Sequence, residues 1–274
     1  MAEDSASPKP SAVQIRRAVD QTLAALRIEG WLPRTDHIAT LGALASGELS
    51  FGGYLAHWRR VYPPAPQQGR RRWFARSVPY LIPGTSVLRN SLGIRDAGQL
   101  AALEYLVTAG RMALWHCRTA ERPASIEVRA LHAELFGDLY SWAGQPRTVD
   151  LRRGTSAFLW QPDVVPALDE IDASAEELAE TGARYDNPRL AWELSRIYAR
   201  YNQAHPFREG NGRAGALLLH ALAGRCGRQL DLTGITRSDW YTAAADSMPL
   251  HRDARASHRP FLWLVNRALQ PRQH

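Results

Sequence analysis

A chain of 274 residues with 45% hydrophobic composition has enough apolar surface for one sizeable core and a small companion unit, which excludes a fibrous or wholly disordered protein. A formal net charge of +7 invites a nucleic-acid partner, but Lys9 is the only lysine and the other cations are arginines, a bias that a GC-rich genome produces without functional demand. The two cysteines, Cys117 and Cys226, lie far apart, which argues against a disulfide framework and fits a reducing compartment. Cys117, among Met112, Leu114 and Trp115, reads as a small core thiol.

Met1 to Pro10 is a Ser/Pro-rich tail without the apolar stretch of a signal peptide, so disorder and a cytoplasmic location are expected. Residues 11–62 read as three short helices. Ser11 with Gln14 forms a capping box, and Ile15, Val19, Leu23 and Leu26 recur at helical spacing until Gly30 and Pro33 stop the helix. A second segment runs from Thr35 to Gly47, and a third starts near Ser50 with Tyr54, Leu55, Trp58 and Val61 on one side.

Residues 63–78 read as a linker, with Pro, Gln and Arg but no apolar period. Arg70-Arg71-Arg72 followed by Trp73-Phe74 is the one dense basic cluster. No nucleic-acid-binding motif accompanies it, so direct nucleic-acid binding is not expected.

The remaining unit, 79–274, is again helical. Leu100, Leu103, Val107 and Leu114 define one long helix, and Ile126, Ala130, Leu131 and Leu135 another. Between 147 and 160, Val149 and Leu151 alternate with polar neighbours, Arg152-Arg153-Gly154 supplies a turn, and Ala157 to Trp160 a second short strand, which predicts a lone β-hairpin. Asn187-Pro188 caps the next helix, whose stripe Leu190, Leu194, Ile197 and Tyr201 runs to Ala204. A further helix follows Gly212 through Leu217, Leu218 and Ala221 to Gly227. The longest apolar run, Ala214 to Gly224, is too short to span a bilayer, so no membrane partner is expected.

The nine residues HPFREGNGR, 205–213, thus form a helix-loop-helix elbow opening onto a helix N-terminus. Free N–H groups and the positive end of the dipole make that terminus an anion site. Gly210 and Gly212 allow close backbone approach, while Asn211 and Arg213 add side-chain donors. Glu209 would repel phosphate unless a magnesium ion bridged the two. His205 is the proton acceptor for an incoming hydroxyl, and Phe207 anchors the loop in the core. Together these parts describe nucleophilic displacement at a nucleotide phosphorus.

The same stretch resembles the Fic family signature, His-Pro-Phe-x-Asp/Glu-Gly-Asn-Gly/Lys-Arg, at every fixed position. The resemblance extends upstream through 82–100 and 135–158 and to Asn202, covering about residues 79 to 250. It implies an all-α helical bundle with one small β-hairpin flap, which transfers AMP from Mg-ATP to a Ser, Thr or Tyr hydroxyl of a target protein. His205 is then the base and Glu209 the magnesium acid. Phe207, Gly210, Asn211, Gly212 and Arg213 make the nucleotide site, and Arg152, Gly154, Thr155 and Ser156 the flap that docks the target. In the toxin-like branch the target is a DNA gyrase or topoisomerase IV subunit.

Residues 11–62 resemble the small antitoxin that partners such enzymes, here joined to its enzyme as an inhibitory domain. In its motif, Ser/Thr-x-x-x-Glu-Gly, Glu29 and Gly30 fit, but Ala25 stands at the Ser/Thr position. A second arginine of the family, which binds the γ-phosphate and pairs with the inhibitory glutamate, is replaced by Ala216. Ala216 therefore leaves open transfer of the γ-phosphate or another moiety. A non-catalytic basic regulator contacting nucleic acid through Arg70 to Arg72 is the alternative from a different class.

Overall fold

The computed structural model describes residues 10–63, 78–119, 125–153, 156–252 and 254–271. Most of the expected tail and linker, including Arg70 to Arg72, and the flap residues Gly154 and Thr155 lie outside them. Helix α1 (Ala12–Ile28) opens with the Ser11–Gln14 capping box and ends in a Schellman motif, with Gly30 N–H bonded to the Arg27 carbonyl and Trp31 N–H to that of Leu26. Gly30 takes φ +96°, which only glycine adopts without strain. Helices α2 (Thr35–Ala45) and α3 (Phe51–Val61) follow, the latter capped by Ser50.

These three helices share a core with the rest of the chain. α1 and α2 pack on α4 (Ala97–Thr119), which runs as a single helix with Leu100, Leu103 and Val107 buried. The buried Tyr54 hydroxyl donates to the Leu106 carbonyl at 2.9 Å. Gln21 on α1 bonds Asp231 at 2.8 Å and the Leu232 N–H at 2.9 Å, tying the helix to the C-terminal part of the chain as well. Leu23, Leu26 and Ile28 are buried in this contact, each contributing about 1.5–3 kcal/mol relative to exposure.

The remaining elements are α5 (Val128–Phe136), the two-residue strands β1 (Arg152–Arg153) and β2 (Ser156–Ala157), α6 (Val164–Thr181), α7 (Asn187–Ala204), α8 (Asn211–Arg225), β3 (Arg228–Leu230), α9 (Arg237–Asp246), α10 (Arg259–Ala268) and β4 (Leu269–Pro271). The hairpin pairs Arg152 with Ala157 and Arg153 with Ser156. Arg152 and Arg153, expected in the turn, are therefore strand residues, because their backbones pair with those of Ala157 and Ser156. The cap of α7 also moves by one residue: the Asp186 side chain accepts from Arg189 N–H at 2.9 Å, and Asn187 is the first helical residue. No helix among the described residues is long and apolar enough to cross a membrane.

α7 and α8 cross closely at Gly215. A Cβ there would lie 2.7 Å from the Tyr201 ring and 2.8 Å from that of Tyr198, both buried. Gly215→Ala is expected to force the two helices apart and to cost about 1–3 kcal/mol in denaturant unfolding, with a matching loss of activity because the elbow joins these helices.

Candidate active site

The elbow between α7 and α8 is built from two left-handed residues. His205 ends α7 with φ +43° and ψ +60°, and Gly210 precedes α8 with φ +79°. Non-glycine residues rarely take such a φ, and strain of this kind persists only where the surroundings over-determine it. Here they do. Arg147, fully buried, donates Nε–H to the His205 carbonyl at 2.9 Å and its other N–H groups to the carbonyls of Ala204, Leu159 and Val149 at 3.2, 2.6 and 2.7 Å. The Arg147 N–H itself bonds the Pro206 carbonyl at 2.7 Å.

The Asn211 carboxamide closes the loop on itself. Its Oδ1 accepts from Phe207 N–H and its Nδ2 donates to the Phe207 carbonyl, both at 2.9 Å. Expected as a direct anion donor, this side chain spends its amide on the loop's own backbone. Phe207 is wholly buried and stacks on His132 with ring centroids 3.8 Å apart, which is the anchoring expected of it. His132 in turn meets the Glu209 carbonyl at 3.0 Å and the Gly144 N–H at 2.9 Å. At Gly210 a Cβ would lie 2.1 Å from the Phe136 ring, so close packing as well as φ requires glycine.

Arg213 is buried inside α8. It bonds Glu104 at 2.5 Å and Thr108 at 3.2 Å, lies 3.4 Å from Glu209, and sits over the rings of Phe136 and Tyr105. Burial works against its charge, and Glu104 and Glu209 outweigh that penalty, so the guanidinium stays firmly charged. Its Nε–H has no partner among the described residues. Glu104 also accepts from the Tyr140 hydroxyl. Glu104, Tyr140 and Arg147 are site residues that the sequence did not reveal, since each comes from an element distant in the chain.

His205 faces a cleft lined also by Glu29, Arg153, Asn202, Gly212, Trp240 and Tyr241. Its ring stacks on Phe158 at 3.7 Å and 8°. Burial, with help from Arg153 and Arg147, pushes its pKa down to about 3, while a hydrogen bond to the Asn202 backbone opposes the fall. The imidazole is thus neutral, with one ring N–H held by the Asn202 carbonyl and the other nitrogen left as an acceptor. Phe158 belongs to the segment after β2, which is how the hairpin meets His205.

Glu29 is the residue that the antitoxin-like motif singles out as inhibitory. The α1 C-terminus delivers it to the elbow, and a Cβ on Gly212 would lie 2.1 Å from its Oε1 and 2.3 Å from its carboxyl carbon. The carboxylate therefore rests on the first turn of α8, where an anion would bind. The Tyr105 hydroxyl holds its carbonyl at 2.9 Å. Burial raises the Glu29 pKa above the ordinary carboxylate value, Arg213 and Arg153 pull it back, Glu209 adds to the rise, and Arg237 opposes it.

Glu209 is half exposed at the loop, with Oε1 on the Gly210 N–H at 2.9 Å. Its second oxygen makes no hydrogen bond to the described residues, and no cluster of three or more His, Cys, Asp or Glu residues able to hold a metal occurs among them. One free hard oxygen beside an anion site suits magnesium, which keeps water and phosphate oxygens as its other ligands. Arg152 is exposed on the hairpin, and Ser156 pairs with Arg153 through the backbone.

Comparison with known proteins finds both sequence relatives and structural neighbours of this chain. A family model described as "Fic/DOC family" matches residues 125–223. The chain is 32% identical over 167 residues to "Probable protein adenylyltransferase Fic" of Escherichia coli K12, covering 60% of this chain and 82% of that protein. It is 28% identical over 181 residues to "Protein adenylyltransferase VbhT" of Bartonella schoenbuchensis, covering 65% of this chain and 37% of that one. Among solved structures, BepC of Bartonella tribocorum with bound AMPPNP superposes with a TM-score of 0.59 at 21% identity, over 71% of this chain and 97% of that one.

The neutral histidines carry a stability consequence. His205, His132 and His220 all have folded pKa values lowered to about 3 from 6.5, with burial the main cause. The unfolded chain takes up protons first as pH falls, so stability is full above about pH 6.5 and is lost between there and pH 3. Denaturant unfolding at pH 7 and pH 5 should differ by roughly 2 kcal/mol for each of these three histidines, about 6 kcal/mol together, in favour of pH 7.

Proposed function

The chain belongs to the Fic/DOC family, and from that premise we infer how its cleft works as a protein adenylyltransferase, moving AMP from ATP to a hydroxyl of a target protein. The observation that carries the reading is the neutral His205 imidazole facing the cleft beside the amide-lined N-terminus of α8. The α-phosphate of ATP sits against the first turn of α8, where the N–H groups of Gly212 and its neighbours and the orphan Nε–H of Arg213 meet its charge. The target hydroxyl oxygen attacks the α-phosphorus, and its proton passes to the free His205 nitrogen. The bond from phosphorus to the bridging oxygen then breaks, and pyrophosphate leaves.

Glu209 would hold magnesium, which supplies charge neutralisation at the phosphate oxygens. Arg147 and Phe158 keep the base in place, the first through backbone carbonyls and the second through ring stacking. The flap strands β1 and β2 lie beside the base, in position to pair with an extended target segment.

Glu29 supports an autoinhibited state. Its carboxylate occupies the space a phosphate needs, and α1 is held there by Tyr105, Gln21 and a shared core. Ala25, at the position where the antitoxin motif has Ser or Thr, is buried, and its carbonyl accepts the Glu29 N–H at 3.3 Å. The inhibition therefore depends on where the backbone of α1 ends. An inhibited enzyme with its antitoxin in the same chain fits a toxin-like role in the cytoplasm, with a type II topoisomerase subunit as the target.

Incubation with magnesium and α-labelled ATP should label protein, and His205→Ala should lower the rate by roughly 10²-fold or more. Label arriving only from γ-labelled ATP would instead mean phosphotransfer. Salt-sensitive nucleic-acid binding without any transfer would favour the basic-regulator reading.

Glu29→Gly in the full chain should raise the transfer rate at least about tenfold, since a buried carboxylate at the phosphate position opposes binding by a charge repulsion of that order. An unchanged rate with intact folding would show that Glu29 does not inhibit. The point variant is preferred to deletion of residues 1–62, which would strip α1 and α2 from α4 and expose the core.

A further inference from the structure

The elbow provides for a phosphate, but the next turn of α8 carries no cation. Ala216 stands there and is buried. Arg213 is already engaged by Glu104 and Thr108. A polyphosphate chain extending beyond the α8 N-terminus therefore needs positive charge from elsewhere in the fold.

Two arginines from other elements stand at that place. Arg153 of β1 lines the cleft with Glu29, and its guanidinium carbon lies 5.4 Å from the Tyr241 ring centroid. Arg237, in the first turn of α9, lies 4.8 Å from the same centroid. The Arg237 guanidinium also packs against Gly30, whose added Cβ would meet its Cζ at 3.3 Å and its Nε and Nη2 at 3.4 Å. Gly30 follows Glu29 directly, so this guanidinium is held beside the residue that occupies the anion site. Neither arginine has a carboxylate within 4 Å among the described residues, although other arginines of this chain do. Their stacking on Tyr241 holds two exposed cations at one edge of the cleft, with hydrogen-bonding capacity unspent.

We propose that Arg237, together with Arg153 on the shared Tyr241 platform, is the specificity element that receives the distal phosphates of the nucleotide. In the state described here the same pair faces the Glu29 carboxylate, so departure of Glu29 and arrival of a polyphosphate exchange one anion for another between the same cations. The assignment rests on a nucleotide being the ligand of this cleft. It adds the feature that distinguishes ATP from AMP and places it on α9 and the flap, outside the signature loop.

The test uses the full-length chain carrying Glu29→Gly, so that the resident carboxylate does not compete. Calorimetric titration with Mg-ATP and with AMP should show Arg237→Ala weakening ATP about tenfold or more while AMP changes less than about twofold. Arg153→Ala should act in the same direction, and Arg237→Lys should recover part of the loss. The KM for ATP should rise while kcat stays within about threefold, as expected for a group that touches only the departing phosphates. Equal affinities of the Arg237→Ala and parent proteins for ATP, or parallel loss of ATP and AMP, would overturn the proposal. Arg237 is exposed, so its variants keep the core intact. Failure of the transfer reading would appear separately, as absence of α-label transfer by the Glu29→Gly parent, while the ATP-to-AMP affinity ratio would still decide the role of Arg237.

Discussion

Two hydrogen bonds between the Asn211 carboxamide and the backbone of Phe207 hold the elbow in its one useful shape. They bring the start of α8 back against the end of the loop, so the amides of its first turn open toward His205. Every other part of the site is placed relative to this closure. Phe207 fixes the loop to α5 through His132 and Phe136, and Tyr201 reaches from α7 to the Asn211 carbonyl at 2.7 Å. The left-handed His205 is tolerable because Arg147 ties down the carbonyls on both sides of it.

Electrostatics then decides what occupies the cleft. A helix N-terminus attracts an anion whatever its source. In this state the anion is intramolecular: the Glu29 carboxylate, carried in by a Schellman turn whose geometry directs it onto Gly212. The arrangement is poised because burial disfavours the charge while the surrounding arginines favour it. A ligand with more negative charge and more hydrogen-bond acceptors than one carboxylate can compete for the same place. The glycines serve this exchange in different ways: Gly210 is required by φ and by Phe136, and Gly212 by the approach of Glu29 itself.

Much of the fold was legible in the chain. Helical spacing and the capping box located α1, Ser50 located the start of α3, and the stripe from Leu190 to Tyr201 located α7, because local hydrogen bonding and the apolar period act over a few residues. The errors were also local. Arg152 and Arg153 were read as a turn because Arg-Arg-Gly lacks a β signal, yet pairing with Ser156 and Ala157 makes them strand. Asn187 was read as a cap where Asp186 serves, since both side chains can accept the same N–H and only the backbone path chooses between them.

The sequence by itself determined the composition of the elbow: nine consecutive residues hold His205, Glu209, the glycines and Asn211, and their spacing between two apolar stripes requires a loop at a helix start. Only the tertiary structure decided how those groups are used. It turned the Asn211 amide inward to shape the loop and made Arg147, Glu104 and Tyr140 parts of the site. It also set Glu29 on Gly212, with Arg153 and Arg237 beside it. The physical reason is that local pattern follows from neighbours along the chain, whereas a carboxylate near residue 30 and a helix start near residue 211 meet only because α1 and α8 pack against the same long helix or its neighbours in one shared core.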